Sequence, residues 1–380
     1  MAAILRWARK YARRAPSPPI RFQNTNYEVV GAAQKLEEEA FEDYATGKYY
    51  PVVIGDVFAS RYQVVGKLGF GVSSTVWLAR DLEGSSSHIG KRFVRTALNS
   101  FTIPRPGGDH RCLVHTPLWG SLRDMLARNP YRDRFTEELL RATLYRLFEA
   151  LDYLHTDRKV VHTDISATNV LLEIDDRTVL SNFVDQELAH PSPRKQVEGT
   201  VVYATRLFGW PPGGEPVLCD FGSAERGDAE NTRNAGPDVY RAPEVMLKMR
   251  WSYSIDIWNV GVLSWDLFEG RTLFSGQDPD GKGYSTRAHL AEIIALLGPP
   301  PTDFVKRGER SPEFFNDDGS WRADMPIPAP ISLEQLEENL EGRRKELFLK
   351  FIRSMLQWAP EHRKTAKELL DDPWLNDKID

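Results

Sequence analysis

Apolar positions fall into two regimes along the chain. In the first third they alternate: Tyr62-Gln-Val-Val-Gly-Lys-Leu68 and Ser74-Thr-Val-Trp-Leu-Ala79 flank a glycine turn, and alternation bounded by glycine predicts a hairpin of two strands. From Phe135 the spacing becomes helical. Leu140, Leu144, Leu147, Phe148, Leu151 and Leu154 recur at three- and four-residue intervals across 135–155, which lines one face of a helix. Thr136, followed by Glu137 and Glu138, supplies its start signal. Similar spacing predicts helices over 256–268, 287–297, 333–358 and 363–371, with proline-rich breaks at 211–216, 299–301 and 326–330. No internal repeat is found. Strands first and helices afterwards predict an α+β chain with two unequal lobes.

Composition narrows the class. The 380 residues are 41% hydrophobic and 27% charged, ordinary globular values that exclude wholesale disorder. Two cysteines, Cys112 and Cys219, cannot build a disulfide framework, so a reducing intracellular compartment, cytoplasm or nucleus, is expected. No run approaches the ~20 apolar residues of a membrane span. The net charge of −5 argues against direct nucleic-acid binding. That charge is unevenly spread. Residues 1–27 carry Arg6, Arg9, Lys10, Arg13, Arg14 and Arg21 and no acid, leaving −11 on the rest. Such a start reads either as a basic tail or as a mitochondrial transit peptide. Residues 28–59 form an extension containing Glu37-Glu38-Glu39 and Tyr49-Tyr50-Pro51.

Three short motifs carry chemistry. Gly69-Phe-Gly71-Val-Ser-Ser74-Thr-Val76 is a turn whose backbone could approach phosphate oxygens without a Cβ in the way, although hairpins use glycine for their own geometry. No helix follows it, which disfavours a dinucleotide fingerprint or a P-loop. His162-Thr163-Asp164-Ile-Ser166-Ala-Thr-Asn169 precedes the apolar Val170-Leu171-Leu172. An Asp and an Asn five positions apart on one loop can orient a hydroxyl nucleophile and bind Mg²⁺. Val217-Leu218 then leads into Asp220-Phe221-Gly222. Singly, each acid reads equally well as a cap or turn residue; in this order the motifs are far more specific.

In that order, and followed by Ala242-Pro243-Glu244, Asp256-Ile-Trp258-Asn-Val-Gly261 and Arg363, the motifs resemble the eukaryotic protein kinase family across residues 60–377. Arg241 before Ala242 and the segment 299–330 are similar to the CMGC group. Ser74 at the third glycine, Thr163 at the arginine of the loop, Phe314-Phe315-Asn316 and the 50 residues between Asn169 and Asp220 resemble SR-protein kinases of fungal type. The resemblance implies a bilobal fold, with a β-rich small lobe and hinge over 60–118. A mainly helical large lobe would span 119–377, carrying inserts at 175–216 and 299–330.

It also implies roles. Asp164 would accept the proton of a substrate serine or threonine, and Asn169 and Asp220 would hold Mg²⁺. ATP would lie against Leu68, Gly69, Gly71 and Val76, with Thr116 C=O and Leu118 N–H facing adenine around Pro117. His162, Phe221, Arg241, Glu244, Asp256 and Arg363 would be structural, with Glu244 and Arg363 paired. Thr163 cannot grip a phosphate as the family's arginine does, so control by activation-loop phosphorylation is not expected.

The resemblance breaks after Ala79. The family's third-strand lysine sits in a Val-Ala-Ile-Lys-like run, whereas here a polar stretch leads to Lys91, and Ser166 stands where the family's loop has lysine. The third strand and first helix have no counterpart. The expectation is therefore an impaired Ser/Thr protein kinase using ATP and Mg²⁺, or alternatively a pseudokinase or scaffold binding a protein partner. Small-molecule phosphotransferases share the His-x-Asp-x-x-x-x-Asn loop, but Ala242-Pro-Glu244 with Arg241 and Arg363 argues against them. SR-protein kinases take Arg-Ser-rich substrates. Gly270 to Leu290 holds Asp278 and Asp280 against Arg271, Lys282 and Arg287, so a weak or absent preference for such substrates is expected.

Overall fold

The computed structural model describes residues 18–22, 25–31, 33–41, 44, 48–82, 92–105, 108–129, 133–197, 200–209 and 213–376. Lys91 and most of the basic stretch 1–27, on which the tail and transit-peptide readings rest, lie outside them. The chain divides into two compact units. The first takes in the described residues within Met1–Arg92, Thr96–Trp119 and Glu173–Gly214; the second takes in Phe93–Arg95, Gly120–Leu172 and Glu215–Asp380.

In the first unit, β1 (Val57–Phe58), β2 (Tyr62–Phe70) and β3 (Thr75–Asp81) form an antiparallel sheet in chain order. The β2–β3 register runs from Tyr62 opposite Asp81 to Phe70 opposite Thr75, with irregularities at Val64/Gly66 and Lys67/Gly69. A separate hairpin joins β4 (Asn99–Ile103) to β5 (His110–Val114). The described residues 92–98 between β3 and β4 contain neither a helix nor a strand.

The insert at 175–216, expected within the larger lobe, groups instead, through Gly214, with this first unit. It supplies a helix, Thr178–Ala189, and a hairpin of Arg194–Val197 with Thr200–Tyr203. Its burial explains the grouping. Phe183 is 2% exposed and lies so close to β2 that a Cβ at Gly66 would stand 2.7 Å from its ring. Tyr203 joins Val52, Ile54 and Val64 in a core flanked by Phe22, Tyr50, Phe58 and Trp77. Extension, sheet and insert therefore share one core. Burying each of these large side chains stabilises the unit by about 1.5–3 kcal/mol. Lys67 of β2 is fully buried, its ammonium paired with Glu37 at 2.7 Å and with Glu38, and donating to Tyr203 O.

The second unit is mainly helical. Helix Glu137–Asp152 starts where Thr136 predicts, its hydroxyl accepting from Leu139 N, and it ends in a turn closed by Lys159 at φ 55°. Helix Ser254–Glu269 is buried along nearly its whole length. Around it, Phe348 contacts Trp265, Phe268 and Trp374. Helix Thr286–Leu297 is capped by Ser285.

Two helices differ from their expected bounds. The pattern over 333–358 is two helices, Leu333–Leu336 and Gly342–Met355. Between them Glu337 accepts from Asn339 N and Leu340 N, and Gly342, where the second helix begins, sits at φ 54°, which a single right-handed helix cannot pass through. The pattern over 363–371 shortens to Ala366–Leu370, capped by Thr365 and Glu368. Arg363 thereby stays extended and faces Glu244. No helix among the described residues is long and apolar enough to cross a membrane.

Candidate active site

In the second unit, Val170–Leu172 of the strand Val170–Glu173 pair antiparallel with Pro216–Leu218, Val170 facing Leu218. Each strand adjoins one of the functional segments. Asn169 immediately precedes the first strand, and Asp220 lies two residues past the second. Cys219 N donates to Asn169 O at 2.7 Å, so the ladder sets the two candidate metal-binding residues side by side. Apolar alternation built the strands; their ends carry the polar chemistry.

The loop between Val161 and Val170 is held from beneath by Asp256, which is fully buried at the start of the central helix. One carboxylate oxygen accepts from His162 N and the other from Thr163 N, each at 2.8 Å, and His155 Nε2 lies 2.8 Å from the first. Charge-assisted bonds of this kind are about twice as strong as neutral ones. They hold Thr163 at φ 73°, a region that costs a β-branched residue about 1–3 kcal/mol. The Thr163 hydroxyl donates to Ser223 O, a neutral link between the loop and the segment after Asp220.

His162 is fully buried against Phe221, ring centroids 4.9 Å apart. Its Nδ1 accepts from Asp164 N at 3.3 Å, so its proton sits on Nε2, which donates to Cys219 O at 2.9 Å. The imidazole thus ties the Asp164 backbone to the residue before Asp220, with both nitrogens occupied. The Cys219 thiol is pushed up to about 11, chiefly by burial, so it stays protonated and adds no charge to the site.

Asn169 Nδ2 donates to both Asp164 O and Asp164 Oδ2 at 2.8 Å. This fixes the Asp164 carboxylate and turns the Asn169 amide oxygen away from it. Asp220 is exposed, at φ 61°, with Oδ1 accepting from Gly222 N. Among the described residues, no protein donor reaches Asn169 Oδ1, Asp164 Oδ1 or Asp220 Oδ2. Two outward oxygen ligands from adjacent backbones suit a hard divalent cation that completes its shell with water and phosphate.

Farther along the chain, Arg363 and Glu244 form a bidentate pair at 2.6 and 2.7 Å with both side chains fully buried. Arg363 also donates to Gln357 O, Ser254 O and Trp358 O, which offsets the desolvation of its charge. Arg241 pairs with Asp238 and lies over the Tyr284 ring.

The remaining candidates belong to the first unit. Gly69 and Gly71 sit at the turn end of the β2–β3 hairpin. Neither has a positive φ, and nothing lies within 4 Å of a Cβ built on either. The fold itself therefore does not require glycine there. Leu68 is half-buried and Val76 is 41% exposed. Exposed Thr116 and half-buried Leu118 flank Pro117 after β5. Sequence reasoning missed Tyr49, whose hydroxyl donates to Gly71 O and Val72 O. Its only signal was the aromatic pair before Pro51.

Fold and loop together define a class, the mixed α+β folds built like kinases. The fold matches a solved kinase domain at a TM-score of 0.65 and 20% identity, over 86% of this chain and 98% of that one. The protein kinase domain profile matches residues 213–375. A serine/threonine protein kinase of Aspergillus fumigatus is 40% identical over 96% of this chain and 97% of its own length. The serine/threonine-protein kinase SRPK of Physarum polycephalum is 29% identical over 90% and 92%. This chain belongs to the protein kinase family, with relatives on the CMGC, SRPK-like side.

Proposed function

We propose that this chain transfers the γ-phosphoryl group of ATP to serine and threonine hydroxyls of proteins, and does so slowly. The observation that carries the reading is the locked Asp164–Asn169 pair beside Asp220. Asn169 Nδ2 occupies one Asp164 oxygen, leaving Oδ1 to accept the hydroxyl proton of a substrate. Asp256 and His162 keep that oxygen in place through the backbone. Asn169 Oδ1 and the Asp220 carboxylate would hold Mg²⁺, which neutralises charge on the transferring group when bound. Gly69 and Gly71 would face the triphosphate, Leu68 and Val76 the adenine, and Thr116 C=O and Leu118 N–H its edge.

Slowness follows from missing cations. Ser166 replaces one lysine and no Val-Ala-Ile-Lys-like run supplies the other. Lys67 is no substitute, because Glu37 and Glu38 consume its charge. Each lost electrostatic donor costs ~10² to 10³ in rate. The chain also has weak or absent preference for Arg-Ser sequences, since Asp278 and Asp280 both pair with Arg287. The test joins thermal shift with phosphoryl transfer. MgATP should raise the melting temperature, and transfer to a mixed Ser/Thr peptide pool should be detectable and lost in Asp164→Asn. With no MgATP shift the catalytic reading fails, and the scaffold that binds a protein through the second unit takes its place.

A further inference from the structure

The extension before the sheet does more than complete a core. Tyr49 and Tyr50, adjacent before Pro51, pack against different partners. Tyr50 packs on Phe58 and His110, ring centroids 5.7 and 5.4 Å away, which anchors the segment. Tyr49 is 8% exposed, and its hydroxyl donates to Gly71 O and Val72 O, each at 2.8 Å.

Those two carbonyls belong to the peptide planes of the Val72 and Ser73 amides. All described peptide bonds are trans, and in a planar trans peptide the N–H points opposite to the C=O. With both carbonyls drawn to one phenol, both amides are aimed away from it. Among the described residues neither amide has a protein acceptor, while Gly71 N is used to close the turn on Ser74 O at 2.8 Å. Two adjacent amides without a protein acceptor, beside glycines with open space around them, are free to meet the oxygens of an anion.

The same segment grips the turn a second time. Phe41 lies 6.0 Å from the Phe70 ring, and the Lys67 ammonium, held by Glu37 and Glu38, lies 5.2 Å from it. Tyr44 stacks on Tyr49.

We infer that Tyr49 is a positioning residue that orients the Val72 and Ser73 amides of the glycine turn toward the phosphates of a nucleotide. The ligand rests on the kinase reading above; the orientation of the turn does not. Phenylalanine fills the same space without the proton, so Tyr49→Phe isolates the hydroxyl. In Tyr44→Phe a hydroxyl of the same segment is lost from Thr200 Oγ1 instead, which makes it the control.

The experiment uses the full chain. Amide exchange of Gly71 is followed without nucleotide, with the Gly55 amide, bonded to Val64 O, as internal reference. Binding of MgATP and of adenosine is then titrated by calorimetry. In Tyr49→Phe, Gly71 exchange rises about threefold to tenfold, the range one lost hydrogen bond gives, and Gly55 is unchanged. MgATP binding weakens by a similar factor while adenosine binding is kept; Tyr44→Phe alters none of these. Unchanged Gly71 exchange in Tyr49→Phe overturns the inference, as does equal loss of MgATP and adenosine binding. If the unsubstituted chain binds no MgATP but Tyr49→Phe still frees Gly71, the positioning of the turn stands and the nucleotide reading falls.

Discussion

Asp266, on the central helix, shows how one buried carboxyl ties stability to pH. It accepts from Leu273 N and from the Tyr240 hydroxyl, yet burial outweighs both bonds and raises it from 3.8 to about 6. Burial also raises Tyr240, with the Asp266 charge adding to it. The folded carboxyl therefore holds its proton more tightly than the unfolded one. Its stabilisation is full below about pH 4 and is lost as pH rises through 6, a difference of order 3 kcal/mol. Asp266→Asn keeps an acceptor for Leu273 N and removes the titration. Its stability relative to the unsubstituted chain should improve steadily from pH 4 to pH 7, as read by urea unfolding at each pH. A constant difference across that range would show that Asp266 does not titrate there. Tyr240 lies just before Arg241-Ala-Pro-Glu244, and its carbonyl accepts from Asn259, so this proton sits under the segment that leads to the buried Glu244–Arg363 pair.

At the scale of elements, the insert helix is the part that pattern could not place. Thr178–Ala189 docks on β2 through Phe183, where Gly66 leaves no room for a Cβ. Gly66→Ala pushes the methyl into that ring and should destabilise the chain by about 1–3 kcal/mol, as overpacking does. Phe183→Leu in the same background should recover part of that loss, a coupling that a double-mutant cycle in urea measures. Additive effects would mean the helix is not seated on Gly66. The two-strand hairpin and the helix after Thr136 were legible because local alternation, spacing and a cap specify them. The insert's grouping was not, because it depends on long-range burial of Phe183 and Tyr203. The split at 337–341 was hidden for a different reason: Glu337 replaces helical bonds with its own side chain inside an otherwise helical pattern. In the site, the order of Asp164, Asn169, Asp220 and Glu244 was readable as motif. The contacts of Asp256 with two backbone amides of the Asp164 loop, and of Tyr49 with two carbonyls of the glycine turn, join residues far apart in sequence and leave no local signal.

At the scale of the whole molecule, charge decides which peptides gather at the surface and which are selected. With −11 outside the basic first 27 residues, the body should attract cationic peptides at long range, an effect that salt screens within about 8 Å at physiological strength. Selection needs acids free to pair at close range. Arg287 engages Asp278 through two bonds of 2.8 Å and reaches Asp280 at 2.5 Å; its guanidinium also holds the Asp278 carboxyl well below the usual range. The pair of acids is thus answered from within the chain. An Arg-Ser repeat peptide and a neutral Ser peptide, compared by fluorescence anisotropy so that the readout does not depend on turnover, should differ at low salt and converge near 0.15 M. Arg287→Ala frees both acids and should tighten the Arg-Ser peptide by up to about fivefold, the scale of an exposed ion pair, leaving the neutral peptide unchanged. Strong Arg-Ser preference in the unsubstituted chain at 0.15 M salt would show that other acids do the selecting and that Arg287 does not close the site.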